Sequence, residues 1–339
     1  MTNRQLRLNA RPEGLFKESD FKLVEEAIPN LQDGEFLVRV IYLSLDPTQR
    51  VWAQADSYLP AVKIGAVMRS FGLGVVEKSK HTDFAEGDIV SGMTGWQDYL
   101  VSDGQNLQKL PRLPGVPGVP LDAYMGPLGM TGITAYFGLL DIGEPKEGET
   151  LVVSGAAGAV GSIVCQIGKL KGCCVVGIAG SDAKGEYLTN ELGIDAAINY
   201  KTQNVYKALR KACPDGIDIY FENVGGPMLD AVLAQLNIGA RIPLCGFISQ
   251  YTATEAGPGI QNLSVLISKR AKIEGFLVLD YYDRAEEAVT QMAQWLGEGK
   301  LKYQTTVEEG LENTPTTINK LFTGNKLGKL LVKVSDEVA

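Results

Sequence analysis

Histidine occurs once in the 339 residues, as His81, and no C-x-x-C pair occurs at all. All five cysteines lie between Cys165 and Cys245, which leaves the first 164 residues without one. A catalytic zinc draws on His, Cys and carboxylate ligands, commonly beside a second cluster of closely spaced cysteines, so ligand supply argues against zinc chemistry here. His81 sits in the polar turn KHTDF and is expected to be a surface turn residue without a catalytic role. The odd cysteine count, with Cys173 and Cys174 adjacent in an apolar run, implies reduced thiols and a cytoplasmic protein. No apolar run reaches the 18 or so residues that a membrane span needs, and the start, MTNRQLRLNARPEG, lacks the apolar core of a secretory signal. Excess positive charge is lacking too: the net charge of −8 argues against general nucleic-acid binding, while leaving room for a local basic pocket.

The length exceeds one usual hydrophobic core, so two domains are expected. The stretch LVVSGAAGAVGSIVCQIGKLKG, Leu151 to Gly172, is the most informative. Leu151, Val152 and Val153 are apolar on both faces, as in a buried parallel strand. Val160, Ile163, Val164 and Ile167 recur at i, i+3, i+4 and i+7, the stripe of a helix of about three turns ending before Gly172. Between them Gly155, Gly158 and Gly161 let backbone N–H groups and a helix N-terminus approach a pyrophosphate. The match to G-x-G-x-x-G is imperfect, since Ala156 stands where the first glycine of AAGAVG belongs; tight packing alone would also account for the glycines. A second strand, Cys173 to Ile178, completes a βαβ unit and favours the dinucleotide reading.

An NAD site usually places Asp or Glu about 20 residues past the glycines, to bond the ribose 2′-OH. Here the chain reads IAGSDAKGEY, with Gly180 and Ser181 in the turn and Lys184 positioned to meet a 2′-phosphate; Asp182 reads as a helix N-cap. NADP is therefore favoured over NAD. Further strands are expected at AAINY, IDIYFENV, ARIPLCGF and KIEGFLVL, which gives a doubly wound Rossmann sheet of six parallel strands over about 128–303. Ligands bind beyond the carboxyl ends of such strands, and these ends nominate Tyr200, Asn223, Cys245 with Gly246, and Phe276 to Val278. Phe276 and Val278 read equally well as core.

From about residue 36 to 110 the signals are β-like: EFLVRVIYLSLD stopped by Pro47, then GDIVSGM and WQDYLVSD, suggesting a compact barrel in a domain of residues 1–127. The prolines Pro111, Pro114, Pro117 and Pro120 read as an extended connection. The closing LLVKV cannot form a domain alone, so 304–339 is expected to return to the barrel. Loops around Trp52, Tyr58 and Trp96 are expected to shape the substrate pocket.

These features resemble the zinc-independent, NADP-dependent branch of the medium-chain dehydrogenase/reductase superfamily, the alkenal double bond reductases and prostaglandin reductases. The resemblance covers essentially the whole chain and is carried by YLSLDP, GMTGITAYFGL, VSGAAGAVG, VVGIAGS, INYK, PDGIDIYFENVGG, CGFISQY and LGKLLVKV, in the family's order. It implies a GroES-like catalytic domain with a Rossmann domain and NADPH in the cleft. The implied cofactor contacts are Gly158, Ala159, Val160 and Gly161 for the pyrophosphate, and Lys184 and Tyr200 for the 2′-phosphate. Asn223, the run from Cys245 through Gly246, Ile248 and Ser249 to Tyr251, and Phe276, Leu277 and Val278 complete the set. The implied reaction passes a hydride to the β-carbon of an enal or enone and protonates the enolate, with Tyr251 beside the carbonyl; Tyr251 as a cofactor-packing aromatic is the competing reading. No metal is needed if fixed donors meet the oxyanion.

Three departures stand out. The family's D-P-Y-M-R is DPTQR here, so Thr48 replaces a substrate-facing tyrosine, and Phe71 replaces another found in plant members, which removes two phenol donors. GNKLGK shifts an asparagine to Asn325 and places Lys326 at a cofactor-contacting position. Two alternatives stay open, an NADPH:quinone reductase on the same fold and a non-catalytic NADPH-binding sensor. Family members are commonly dimers through their Rossmann domains, so a homodimer is expected; the partners implied are a small-molecule substrate and no nucleic acid or membrane.

Overall fold

The computed structural model describes residues 2–110, 118–255, 257 and 259–337. Most of the proline stretch, 111–117, lies outside the described residues. The chain divides into two compact units, one of residues 1–112, 305–326 and 330–339, the other of residues 113–304 and 327–329.

The first unit begins with an antiparallel hairpin, β1 (Thr2–Leu8) and β2 (Phe21–Ala27). Strand β3 (Phe36–Leu45) is apolar at eight of its ten positions, with only Arg39 and Ser44 polar, and nine of the ten are buried. It pairs antiparallel with β4 (Phe71–Ser79) and β6 (Tyr99–Ser102), while β5 (Ile89–Met93) and β7 (Leu107–Lys109) extend the sheet beyond β4. Pro47, which cannot donate to a ladder, ends the strand run and leads into helix α1 (Thr48–Gln54). Of the residues around which pocket-shaping loops are expected, the Trp52 and Trp96 rings are core, 2% and 0% exposed. The Trp96 ring lies 4.9 Å from the Phe21 ring and 6.4 Å from Phe16, so its indole area is buried although residue 96 itself lies in the irregular chain between β5 and β6. His81 takes the turn role expected of it, its Nδ1 accepting from the Asp83 N–H at 3.0 Å.

The second unit alternates helix and strand: α2 (Met130–Phe137), β8 (Thr150–Ser154), α3 (Ala159–Leu170), β9 (Cys174–Ala179), α4 (Asp182–Glu186), β10 (Ala196–Asn199), α5 (Val205–Ala212), β11 (Ile217–Phe221), α6 (Gly226–Leu233), β12 (Leu236–Leu244), α7 (Ile248–Tyr251), α8 (Val265–Lys269), β13 (Lys272–Gly275) and α9 (Ala285–Gly297). The six strands are parallel, in the order β10-β9-β8-β11-β12-β13. That is the Rossmann order 3-2-1-4-5-6 of a doubly wound sheet, the predicted fold class. Alternation explains the continuous apolar runs. Leu151, Val153, Val175, Ile219 and Phe221 pack with Ile163, Val164 and Ile167 of α3 and with Met292 of α9; Val152, Val176, Ile178 and Tyr220 pack with Leu209 of α5 and Leu229 of α6. Both faces are covered, so neither can be polar.

Two boundaries differ from the sequence-based expectation. Strand β9 starts at Cys174, one residue late. Strand β13 is only Lys272–Gly275, and Phe276, Leu277 and Val278, expected as its continuation, follow it as irregular chain. The Phe276 ring turns into the core against Gly138 and Phe221, so hydrophobic burial is achieved without a ladder.

After the second unit the chain supplies β14 (Thr305–Glu309) and β15 (Lys329–Lys333) to the first-unit sheet. Strand β15 lies between β14 and β3, with Leu330 opposite Leu45 and Val332 opposite Leu43. A lone strand following six parallel ones buries both its edges only by this insertion. Among the described residues, no helix is long and apolar enough to cross a membrane.

Candidate functional site

The glycine-lined turn follows β8. Gly155 takes a left-handed φ of 58°, reversing the chain, and the Gly158 N–H closes the turn on the Gly155 carbonyl at 2.9 Å. Gly158 is the N-cap of α3 in extended conformation, and its side chain can offer nothing to the first helical N–H groups. Those donors and the positive end of a twelve-residue helix make an anion cradle at Gly158, Ala159, Val160 and Gly161. Gly161 itself serves packing: a Cβ there would collide with the Gly155 carbonyl oxygen and stand 2.9 Å from the Ala156 Cα. The segment 327–329 lies against the same turn, Gly328 donating to the Ala157 carbonyl at 3.0 Å.

Beyond β9, Gly180 and Ser181 form the next turn. The N-cap is Ser181, whose Oγ accepts from the Lys184 N–H at 3.3 Å. This corrects the reading of Asp182 as the cap: Asp182 is the first helical residue, its carboxylate accepting from the Asn199 amide at 2.8 Å. Thus the one acidic residue in this turn is engaged by a neighbour. Register places Asn199 opposite Ala179, and the Tyr200 N–H continues the ladder to the Ala179 carbonyl at 3.1 Å. The Tyr200 ring covers Gly180, where a Cβ would lie 3.1 Å from the phenol oxygen. Lys184 is half-buried, and burial together with the neighbouring Lys201 ammonium pushes its pKa down. Lys184 after β9 and Lys201 after β10 thus bring two ammonium groups close enough to repel, the charge that a doubly charged anion would meet. Lys201 was missed in the sequence reading; its one local signal was adjacency to Tyr200 in INYK.

The third and fourth turns follow β11 and β12. In a sheet of this order β8 and β11 are neighbours from which the chain departs in opposite directions, and their ends frame the switch-point crevice. Asn223 stands there, its side-chain amide donating to the Ser154 carbonyl at 2.7 Å and its backbone N–H to Ser154 Oγ at 2.8 Å. The Ile248 and Ser249 N–H groups donate to the Asn223 and Val224 carbonyls at 3.2 and 3.1 Å, which docks the Cys245–Tyr251 segment onto the β11 turn. At its end the Tyr251 hydroxyl accepts from the Phe247 N–H at 3.1 Å, and a Cβ built on Gly246 would lie 3.6 Å from that hydroxyl. A phenol oxygen accepting one hydrogen bond still carries its own O–H. Burial pushes the Cys245 thiol up to about 12, which keeps it protonated and unreactive at neutral pH. Phe276 follows β13, and since its ring is spent on the core, the backbone of Phe276, Leu277 and Val278 is what that strand end offers.

The structure therefore brings the nominated residues together at the carboxyl ends of one parallel sheet. Thr48 and Phe71 belong to the first unit, at the starts of α1 and β4. The Tyr58 hydroxyl lies 2.7 Å from Thr48 Oγ1, so a phenol stands beside position 48 although none is carried there. Among the described residues, no group of three or more His, Cys, Asp or Glu side chains is arranged to hold a metal ion.

Comparison with known proteins agrees with this geometry. Residues 4–110 match the family model described as the N-terminal domain of oxidoreductase, and residues 159–296 match that of zinc-binding dehydrogenase. The chain is 46% identical to the NADPH-dependent curcumin reductase of Escherichia coli, over 99% of this chain and 98% of that one. It is 42% identical to the NADP-dependent 2-alkenal reductase of Nicotiana tabacum, over 99% of both. The crystal structure of CurA from Vibrio vulnificus in complex with NADPH superposes with a TM-score of 0.92 at 46% identity, covering 98% of this chain and all of that one. With whole-length identity of this order, and with its parallel sheet and four strand-end turns in place, the chain belongs to the zinc-independent alkenal reductase branch of the medium-chain dehydrogenase/reductase family.

Proposed function

We propose that this chain is a cytoplasmic, NADPH-dependent reductase of the C=C bond of α,β-unsaturated aldehydes and ketones. The observation that carries the proposal is the Tyr251 hydroxyl, fixed on the Phe247 amide beside Gly246 at the end of the sheet whose first turn is an anion cradle. The residues fit the cofactor. Gly158 to Gly161 hold the pyrophosphate; Ser181, Lys184 and Tyr200, with Lys201, hold the 2′-phosphate; Asn223, the Cys245–Tyr251 segment and the Phe276 to Val278 backbone hold the nicotinamide half. When bound, NADPH supplies the hydride that reaches the substrate β-carbon. Tyr251 donates its O–H toward the carbonyl oxygen, where negative charge develops. Its oxygen is braced by the Phe247 N–H, so the donor is oriented before substrate arrives.

The second reading we offer concerns assembly. Strand β13 is the edge of the six-stranded sheet and presents unpaired backbone groups. Antiparallel pairing with β13 of a second copy about Ile273 would set Lys272 opposite Glu274 across the two-fold axis, opposite charges at each end. We propose a homodimer of this kind.

The test of activity is incubation of purified protein with NADPH and a panel of 2-alkenals, enones and quinones, following absorbance at 340 nm with products identified by mass spectrometry. Saturated aldehydes and ketones are expected. Consumption of NADPH by quinones alone would replace the reading with a quinone reductase, and binding without turnover of any of them would leave a sensor.

A further inference from the structure

Glu222 is an acid with no part in the chemistry above, and it is fully buried at the point where the candidate cofactor turns converge. Its Oε1 accepts from Ser154 Oγ at 2.8 Å and from the Val224 N–H at 2.6 Å. Ser154, also fully buried, passes the connection on: its Oγ receives the Asn223 N–H and its carbonyl receives the Asn223 side chain. The backbone of Glu222 reaches the turn after β12, its N–H donating to the Pro243 carbonyl at 3.0 Å and its carbonyl accepting from the Cys245 and Gly246 N–H groups at 2.9 and 3.2 Å. One residue thereby contacts the turns after β8, β11 and β12. Burying a carboxyl is costly, and a site that needed only packing would be filled by leucine.

We propose that Glu222 is a positioning residue: with Ser154, it ties the turns after β8, β11 and β12 into one cradle that sets Asn223 and the Cys245–Tyr251 segment against the nicotinamide end of the cofactor. The proposal rests on the NADPH reading above. What the cradle requires of Glu222 is the acceptor at Oε1. Its Oε2 has no hydrogen-bond partner among the described residues, and neither does the buried Tyr220 hydroxyl. An amide in place of the carboxyl keeps the acceptor at Oε1 and the size of the side chain. Glu222→Gln is therefore the conservative variant, while Glu222→Leu and Ser154→Ala remove the link.

The experiment is hydrogen–deuterium exchange of the cofactor-free protein and its three variants, with NADPH affinity measured by fluorescence titration on the same samples. In Glu222→Leu and Ser154→Ala, amides at 155–158, 223–226 and 245–249 should exchange faster together, by about tenfold or more, while β8 and β9 stay protected; NADPH binding should weaken by about tenfold. Glu222→Gln should stay within about threefold of wild type in both readouts, a difference worth less than a single net hydrogen bond. The proposal is overturned if only one turn loosens, if the sheet loosens equally, or if the Gln variant behaves as the Leu variant does. Should Glu222→Leu not fold, Ser154→Ala decides alone. Failure of the wild type to bind NADPH would overturn the cofactor reading and leave the exchange result to judge the cradle.

Discussion

In the site as proposed, three side chains divide the work by their protonation. Tyr251 is a donor, and Tyr251→Phe is expected to lower kcat by about 10²-fold with a smaller change in the KM for NADPH, in the range measured for single oxyanion donors. Part of that loss will come from the Phe247 N–H, which loses its acceptor. Lys184 works as a cation. Its pKa is pushed down by burial and by Lys201, so the 2′-phosphate should bind progressively less well as alkaline pH neutralises it. Lys184→Ala, and independently Lys201→Ala, should cut the NADPH-over-NADH preference in kcat/KM by about 10- to 100-fold, the cost of one charge-assisted contact. Glu222 carries the opposite shift. Burial pushes its pKa up, against the pull of the Val224 N–H and the Ser154 hydroxyl. The folded protein therefore holds a proton that the unfolded chain releases near its ordinary carboxylate pKa, and stability falls as pH rises from that value through the folded one. Urea titrations across pH 4 to 8 should show that decline in wild type and a flatter profile in Glu222→Gln.

Among the elements, the first βαβ unit was the most legible. A strand covered on both faces must be apolar throughout, and a helix packed on it must show its 3.6 period; Leu151 to Val153 and Val160 to Ile167 carry both signals without interference. The same rule misled at β13, where Phe276, Leu277 and Val278 are just as apolar yet do not extend the strand, and the Phe276 ring is covered by insertion beside Gly138 rather than by pairing. Period and hydrophobicity cannot distinguish the two. The cap at α4 was misplaced by one residue because Ser181 and Asp182 both have cap chemistry, and the choice between them fell to the Asn199 amide, which is remote in sequence. Glu222 gave only a partial signal: an acid in an apolar run is visible as an anomaly, but what it touches comes from three separate strands, and Ser154 gave none. The turn itself gives the prediction at this scale. Gly161→Ala should cost about 1 to 3 kcal/mol in urea unfolding, because the new methyl meets backbone atoms of Gly155 and Ala156 that cannot rotate aside.

For the whole molecule, the chief expectation is the assembly. Sedimentation should give about twice the 36.5 kDa of the chain. Lys272→Glu would set like charges against each other at both ends of the proposed β13 pair and favour the monomer, while the double exchange Lys272→Glu with Glu274→Lys should restore the dimer. A monomeric wild type would remove the proposal and leave the edge to be protected by its own charges. The order of the elements along the chain has a different consequence, for synthesis. The second unit is nearly continuous in sequence, so most of it emerges from the ribosome ready to fold. The first unit begins earlier but lacks β15, which sits between β14 and β3, until the whole second unit has been made. Its sheet must wait, with the buried face of β3 unpaired on that side, while nearly 300 residues are made. The nascent first unit is therefore expected to expose that edge until β15 is made, and a premature stop shortly before Lys329 would release a chain whose second unit is nearly whole and whose first cannot close.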